Sequence, residues 1–293
     1  MTVVRYQGTT LAMDCTTARE ILAVAAARLA EAGVDSPRLD ARLLLAHSLG
    51  VPPDAVLVTA GIDAERLDVF EALTARRCAR EPLSYIVGTR EFFSLDFEVG
   101  RGVLIPRPET ETLIEQAMRE FPDSNAPLAA LDLGTGSACL IVAFLVHYRN
   151  AQGTGIDASP DALAWAKRNI DRHGLSGRCK LLKSKWNADG AFDVVFANPP
   201  YLTKEEFANS GPEIRGFEPV AALVAGCDGL SAYRAMIPQV ARLLKARGRV
   251  FLEVGTGQSA AVGEILRQNG LDLLSVVPDL AGIARCLVAG RSR

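Results

Sequence analysis

From Leu128 onward the chain alternates short apolar runs of strand character with segments of helical period, and this alternation constrains its fold most. The extended runs fall at 129–133, 154–156, 180–182, 193–197 and 249–253, with helices between them, the first opening from Ser137 and the second from Ser159; 271–277 and 285–288 also read as extended. Parallel neighbours in a sheet need a crossover, and a crossover helix packs back onto the sheet. Repeated strand, helix, strand order therefore predicts an α/β fold with a mostly parallel sheet covered on both faces.

The chain before this region has another character. From Thr17 to about Arg80 it reads as helical. Thr17 with Glu20 fits a capping box, and Ile21, Leu22, Ala25 and Leu29 recur at helical spacing until Gly33. Ser36 followed by Pro37 opens a second helix, and Gly50 stands where its C-terminal cap belongs. Asp63 caps a third helix carrying Leu67, Phe70 and Leu73, with Pro82 beyond its end. Between Glu81 and Ile105 the period turns strand-like, with Phe92, Phe93, Leu95, Phe97 and Val99 set between Gly88 and Gly100, which predicts a hairpin. Ile105-Pro106-Arg107-Pro108-Glu109 then leads into a helix with Leu113, Ile114, Ala117 and Met118 on one face. The expected organisation is a helical domain over 1–80, a hairpin linker over 81–105 and an α/β domain over 106–293. Residues 1–14 carry no secretory signal and read as a poorly ordered tail.

Charge and cysteine usage exclude several classes. With 32 basic and 34 acidic residues the formal net charge is −2, so no global field draws the chain to a polyanion. The helical segment has no basic face of the sort a DNA-binding module shows, and direct nucleic-acid binding is not expected. Both a docking role for a protein partner and a cap over the larger domain remain open for it. Arg178, Lys180, Lys183 and Lys185 form either a local basic patch or, more commonly for such runs, a charged strand edge. The six cysteines are widely scattered with no CxxC pair, which fits reduced thiols in a cytoplasmic protein and argues against a metal or redox site. No apolar run is long enough to span a bilayer.

Leu131-Asp132-Leu133-Gly134-Thr135-Gly136-Ser137-Ala138 is a strand, a glycine turn and a helix start. Glycines there let backbone approach a ligand at the carboxyl end of the first strand, where open α/β sheets bind. Asp157, closing the next strand, can accept from a ribose diol. Such a turn also serves dinucleotides. However, Asp132 just before it is an extra acid, which suits a cationic amino-acid group better than a pyrophosphate, and S-adenosylmethionine is the favoured cofactor.

The apolar strand 193–197 runs directly into Asn198-Pro199-Pro200-Tyr201. Two prolines cannot donate ladder hydrogen bonds, so the strand ends in a stiff loop. An amide nitrogen is a poor nucleophile with a delocalised lone pair, and it must be held to react. The side-chain oxygen of Asn198 and the carbonyl of Pro199 can each accept one N–H of a planar amide or amine. Tyr201 offers a flat face for that group to stack on. Positive charge developing on nitrogen would strengthen both bonds, favouring direct transfer of a methyl group without a metal.

With these elements in place the sequence resembles the HemK/PrmC family, the protein-glutamine N5-methyltransferases of peptide-chain release factors. The matching blocks are EPLSYIVGTREFFSLDFEV (81–99), LIPRPETETLIE (104–115), LDLGTGS (131–137), GIDASPDAL (155–163), NPPY and FEPVAAL (217–223). NPPY alone is shared with adenine-N6 DNA methyltransferases, whereas the IPRPET block is much more specific. The resemblance implies a Rossmann-like class I methyltransferase domain with a seven-stranded sheet, preceded by a small helical domain that engages the release factor. It implies S-adenosyl-L-methionine as cofactor and a glutamine in a Gly-Gly-Gln loop as substrate, and a monomer is expected. A ribosomal-protein glutamine, or adenine N6 in nucleic acid, is the alternative substrate. Cofactor contacts carry over to Gly134, Thr135, Gly136, Ser137, Ala138, Asp157, Trp186 and Asn198. Substrate contacts carry over to Asn198, Pro199, Pro200 and Tyr201, with Asn198, Pro199 and Tyr201 as the catalytic set. Ala138 replaces a common glycine, and Lys185 replaces an acid usual before Trp186. Arg107 and Glu109 fall in the IPRPET block without an assigned role.

Overall fold

The computed structural model describes residues 3–6, 9–12, 18–59 and 62–292, and the chain divides into two compact units, Met1–Val87 and Gly88–Arg293. In the first unit, β1 (Val3–Tyr6) and β2 (Thr9–Ala12) pair antiparallel within the stretch that the sequence reads as a tail. Three helices follow: α1 (Ala18–Glu31), α2 (Pro37–Leu49) and α3 (Ala64–Cys78). Thr17 and its capping box lie outside the described residues. Gly50 caps α2 in the left-handed conformation, φ 67°, which glycine adopts without penalty. The Asp63 carboxylate accepts from the Arg66 amide at 2.8 Å, capping α3 as expected.

Leu29, Leu44, Leu45, Val56 and Phe70 are fully buried where these helices meet. Between α2 and α3, Arg77 donates to Asp40 at 2.7 Å, both side chains largely buried. One expectation fails nearby. Residues 83–87 form α4 (Leu83–Val87), not a strand, because Pro82 can start a helical turn and its carbonyl accepts the Tyr85 and Ile86 amides. Tyr85 and Ile86 are buried.

The second unit opens with the hairpin β3 (Thr89–Phe92) and β4 (Leu95–Glu98). Its Phe92 and Phe97 sit in the core of this unit, so the hairpin is part of the α/β body. Then come α5 (Glu111–Glu120), β5 (Ala129–Leu133), α6 (Cys139–His147), β6 (Gln152–Asp157), α7 (Pro160–Arg172), β7 (Cys179–Lys183) and β8 (Phe192–Ala197). After β8 come α8 (Lys204–Ala208), α9 (Pro212–Phe217), α10 (Ser231–Leu243), β9 (Leu244–Glu253), α11 (Ser259–Gln268), β10 (Leu271–Pro278) and β11 (Ala284–Arg291). No helix joins β7 to β8; residues 184–191 cross as turns, as their Ser, Asn, Asp and Gly content favours.

The seven strands are ordered β10-β11-β9-β8-β5-β6-β7. The five from β9 to β7 run parallel, and β11 enters antiparallel against both β9 and β10. Side chains alternate between two covered faces. Ala130, Val194, Phe196 and Phe251 face the layer of α5, α6 and α7, while Leu131, Val195, Ala197 and Leu252 face α10 and α11. After β7 the chain returns to the other side of β5, so the order reverses between β5 and β8, and a crevice opens beyond their carboxyl ends. Among the described residues no helix is long and apolar enough to cross a membrane.

Of the four clustered cations, Lys180 and Lys183 lie on the edge strand β7, while Arg178 precedes it and Lys185 follows it and lines the crevice. β7 ends the sheet, Lys180, Lys183 and Lys185 are exposed, and Arg178 donates to the Leu145 carbonyl in the last turn of α6 and to the Tyr148 and Ala151 carbonyls beyond it.

Candidate active site

At the β5–β8 crevice lies a cleft of about 620 Å³. Its floor is the turn after β5. Gly134 (φ 74°) and Gly136 (φ 55°) bend the chain so that no side chain covers it, and a methyl added at either would meet nothing closer than 3.8 Å. Gly134 and Thr135 both donate their amides to the Ile156 carbonyl at 2.9 Å, Gly136 donates to Asp157 Oδ2 at 3.0 Å, and Ala138 donates to the Thr135 carbonyl at 2.7 Å. A phosphate-binding turn needs such amides pointing at its ligand. Here they are engaged inside the protein, so the turn offers bare backbone and not an anion cradle.

Asp157 stands at the end of β6 and lines the cleft; its Oδ1 accepts from the Ser159 amide at 2.8 Å. Each oxygen keeps lone pairs for a hydroxyl, as a ribose diol requires. Trp186 lines the opposite side near Gly134, and its Nε1 has no hydrogen-bond partner among the described residues. Bare glycines, a carboxylate and an aromatic plane with an unmet donor fit a nucleoside bearing a positive charge better than a dinucleotide.

Three expectations about this turn are corrected. The helix begins at Cys139, not Ser137, and Ala138 is fully buried in the left-handed conformation, φ 66°. Hence Ala138 does not line the cleft, and the glycine it replaces would answer to backbone strain. Asp132 does not face the ligand either. It is 1% exposed and accepts from Thr135 Oγ1 at 2.6 Å. Burial, with the charge of Asp157 adding to it, pushes its carboxyl up to about 7 against the opposing Thr135 bond.

The second wall is the corner after β8. Asn198 and Pro200 line the cleft, Pro199 is buried, and Tyr201 is half-buried with its ring outside the lining. The Tyr201 backbone is pinned on both sides, its amide to the Leu223 carbonyl at 3.2 Å and its carbonyl to Gln258 Nε2 at 2.9 Å. Its hydroxyl donates to Glu253 Oε1 at 3.2 Å, and burial beside that carboxylate pushes the phenol well above its ordinary range. The corner therefore brings Asn198 to the same space as Gly134, Gly136 and Asp157. The Tyr201 side chain stays outside that lining.

Four residues that sequence reasoning missed organise this wall. Glu253, 1% exposed at the end of β9, accepts from Thr110 Oγ1 at 2.5 Å, and Thr110 accepts from Asn198 Nδ2 at 3.2 Å. Tyr233 donates to the Glu253 carbonyl at 2.7 Å. Burial raises the Glu253 carboxyl, against the Thr110 bond and the positive charge of Arg285. Glu218, 5% exposed, accepts from the Ile105 amide at 3.1 Å and from Arg107, which lines the cleft. Arg107 thus ties the 104–115 block to the 217–223 block. The signal for Glu253 was available, since a carboxylate ending a buried apolar strand needs a reason. Nothing in the spacing pointed to Thr110.

A model of the PrmC N-terminal domain matches residues 20–88, and a methyltransferase-domain model matches residues 124–268. The release factor glutamine methyltransferase of Rhodospirillum rubrum is 41% identical over 268 residues, covering 90% of this chain and 82% of that protein. The Cereibacter sphaeroides protein of the same name is 41% identical over 277 residues, covering 93% and 98%. Among solved structures, the ribosomal protein L11 methylase of Lactobacillus delbrueckii subsp. bulgaricus superposes with a TM-score of 0.50 over 67% of this chain and 84% of that one. At 20% identity that likeness speaks for the fold alone.

Proposed function

This chain belongs to the release factor glutamine methyltransferase family, and we propose that the β5–β8 cleft is where it methylates the side-chain amide nitrogen of the glutamine in a release factor's Gly-Gly-Gln loop. The observation that carries this reading is the convergence of Asn198 with the glycine turn and Asp157 in one cleft. Gly134, Thr135, Gly136, Ser137, Asp157 and Trp186 would hold S-adenosyl-L-methionine. When bound, that cofactor supplies a methyl carbon made electrophilic by its sulfonium.

The chain's own work is positioning. Asn198, which lines the cleft with its Nδ2 on Thr110, accepts one N–H of the substrate carboxamide through Oδ1, and the Pro199 carbonyl, the next acceptor along the corner, accepts the other. A nitrogen held by two acceptors loses rotational freedom and presents its face to the donor. Charge that grows on nitrogen during transfer draws both acceptors in more strongly than the neutral amide does, which lowers the barrier. Pro200 and the pinned Tyr201 backbone keep the corner from relaxing away, with the Tyr201 ring behind the acceptors. Leu39, Leu57 and Val58 are exposed on the first unit, and that unit docks the release factor outside its reacting loop.

The test is transfer of labelled methyl from the cofactor to a release factor, repeated with its Gly-Gly-Gln glutamine changed to alanine. Label is expected on the unaltered factor alone. Equal labelling of both would remove the substrate assignment.

A further inference from the structure

Asn198 can act as an acceptor only if its carboxamide is turned the right way. An amide is nearly symmetric in shape, and packing alone does not distinguish its oxygen from its nitrogen. Hydrogen-bond polarity does. Glu253 is buried, and its two oxygens each meet a hydroxyl, Oε1 that of Tyr201 at 3.2 Å and Oε2 that of Thr110 at 2.5 Å. Burial raises the Glu253 carboxyl, but the two hydroxyl donors and the positive charge of Arg285 oppose that rise and favour the ionised form. An ionised carboxylate only accepts, so the single hydrogen of the Thr110 hydroxyl is directed to Glu253. Thr110 Oγ1 is then left only as an acceptor toward its other neighbour, Asn198, at 3.2 Å. The NH2 of Asn198 satisfies it, whereas the oxygen would set two acceptors face to face in a site where Thr110 is 2% exposed.

We propose that Thr110 and Glu253 are positioning residues that fix the orientation of the Asn198 carboxamide, so that its oxygen and not its NH2 is presented to the substrate nitrogen. The inference rests on the acceptor role of Asn198 given above. Thr110 reaches this place because the turn 108–110 precedes α5, and Glu253 because β9 lies beside β8. The polarity thus passes from the end of one strand through a buried hydroxyl to the end of its neighbour.

Three variants of the full chain test it, each measured for kcat and KM with a release factor. Thr110→Val keeps the shape and removes the hydroxyl; Thr110→Ser keeps the hydroxyl and removes a methyl. A packing role would make Val the harmless change and Ser the harmful one. The positioning role reverses that order. Freed of its anchor, Asn198 rotates out of line, and misplacement of a reacting group costs up to about a hundredfold in rate. The Val variant is expected to lose about ten- to a hundredfold in kcat with KM changed less than about threefold, and Ser to stay within about threefold of wild type. Should the Val variant fail to fold, Thr110→Ala replaces it in the comparison with Ser. A Val or Ala variant whose kcat matches wild type, while Asn198→Ala is slow, would overturn the positioning role alone. Wild-type kcat in Asn198→Ala would overturn the acceptor reading beneath it.

Discussion

Asp132→Asn should change how stability responds to pH, with a sign that crosses within the ordinary working range. The Asp132 carboxyl is held up at about 7 in the folded chain by burial, whereas an unfolded aspartate titrates at about 3.9. A group whose folded value is raised adds stability that is complete below the unfolded value. That stability is lost as pH climbs toward the folded one. The difference corresponds to about 4 kcal/mol in all, of which about 2.5 kcal/mol disappears between about pH 5 and about pH 8. Asparagine does not titrate and removes this slope. It keeps an oxygen for Thr135 Oγ1, but its NH2 replaces a buried carboxylate oxygen that the Ile141 amide, itself a donor, helps to stabilise, at a cost of about 1–3 kcal/mol at every pH. The variant should therefore be less stable than wild type near pH 5 and equal or more stable near pH 8. Urea unfolding followed by tryptophan fluorescence reads this directly. Both tryptophans, Trp165 and Trp186, belong to the unit that holds Asp132. Parallel stability curves for the two proteins from about pH 5 to about pH 8 would refute the reasoning.

Ala138→Gly should leave stability within about 1 kcal/mol of wild type, because relief of the left-handed backbone offsets the lost methyl and the added freedom of the unfolded chain. Ala143→Gly, comparably buried but inside α6, should cost about 2 kcal/mol, and equal losses in urea unfolding would contradict the conformational argument. Gly229→Ala places a methyl 2.3 Å from the Tyr201 carbonyl at a φ of 71°; it should slow methyl transfer at least about tenfold, and unchanged kcat would show the corner to be pliable. Tyr201→Phe removes one donor from the buried Glu253 and should cost about 1–2 kcal/mol on denaturation, whereas an unaltered midpoint would mean that this bond adds nothing.

Local pattern carried far because the larger unit is built from local rules. Strand 129–133 and the caps at Gly50 and Asp63 follow from period and from residues with one conformational use. Where local preference and tertiary context disagree, the sequence misled. Apolar residues 83–87 look extended but are helical, since Tyr85 and Ile86 are buried that way round. Ala138 reads as a helix start because alanine favours helix, yet the turn demands a left-handed residue. In the site, the residues that meet the cleft were legible at Gly134, Gly136, Asp157 and Asn198. The side chains that hold them, Thr110 and Glu253, are 143 residues apart, and no spacing announces their meeting. Asp132 shows the converse: an acid beside a ligand-binding turn looked like a ligand contact, but its side chain points into the protein.

The most direct test is a single-turnover measurement of methyl transfer to a release factor by Asn198→Ala, at saturating cofactor, beside a cofactor-binding isotherm. A corner that grips the carboxamide should lose at least about a hundredfold in rate when its side-chain acceptor is removed, with cofactor still bound. A transfer rate within about threefold of wild type would show that the glutamine is oriented by something other than Asn198.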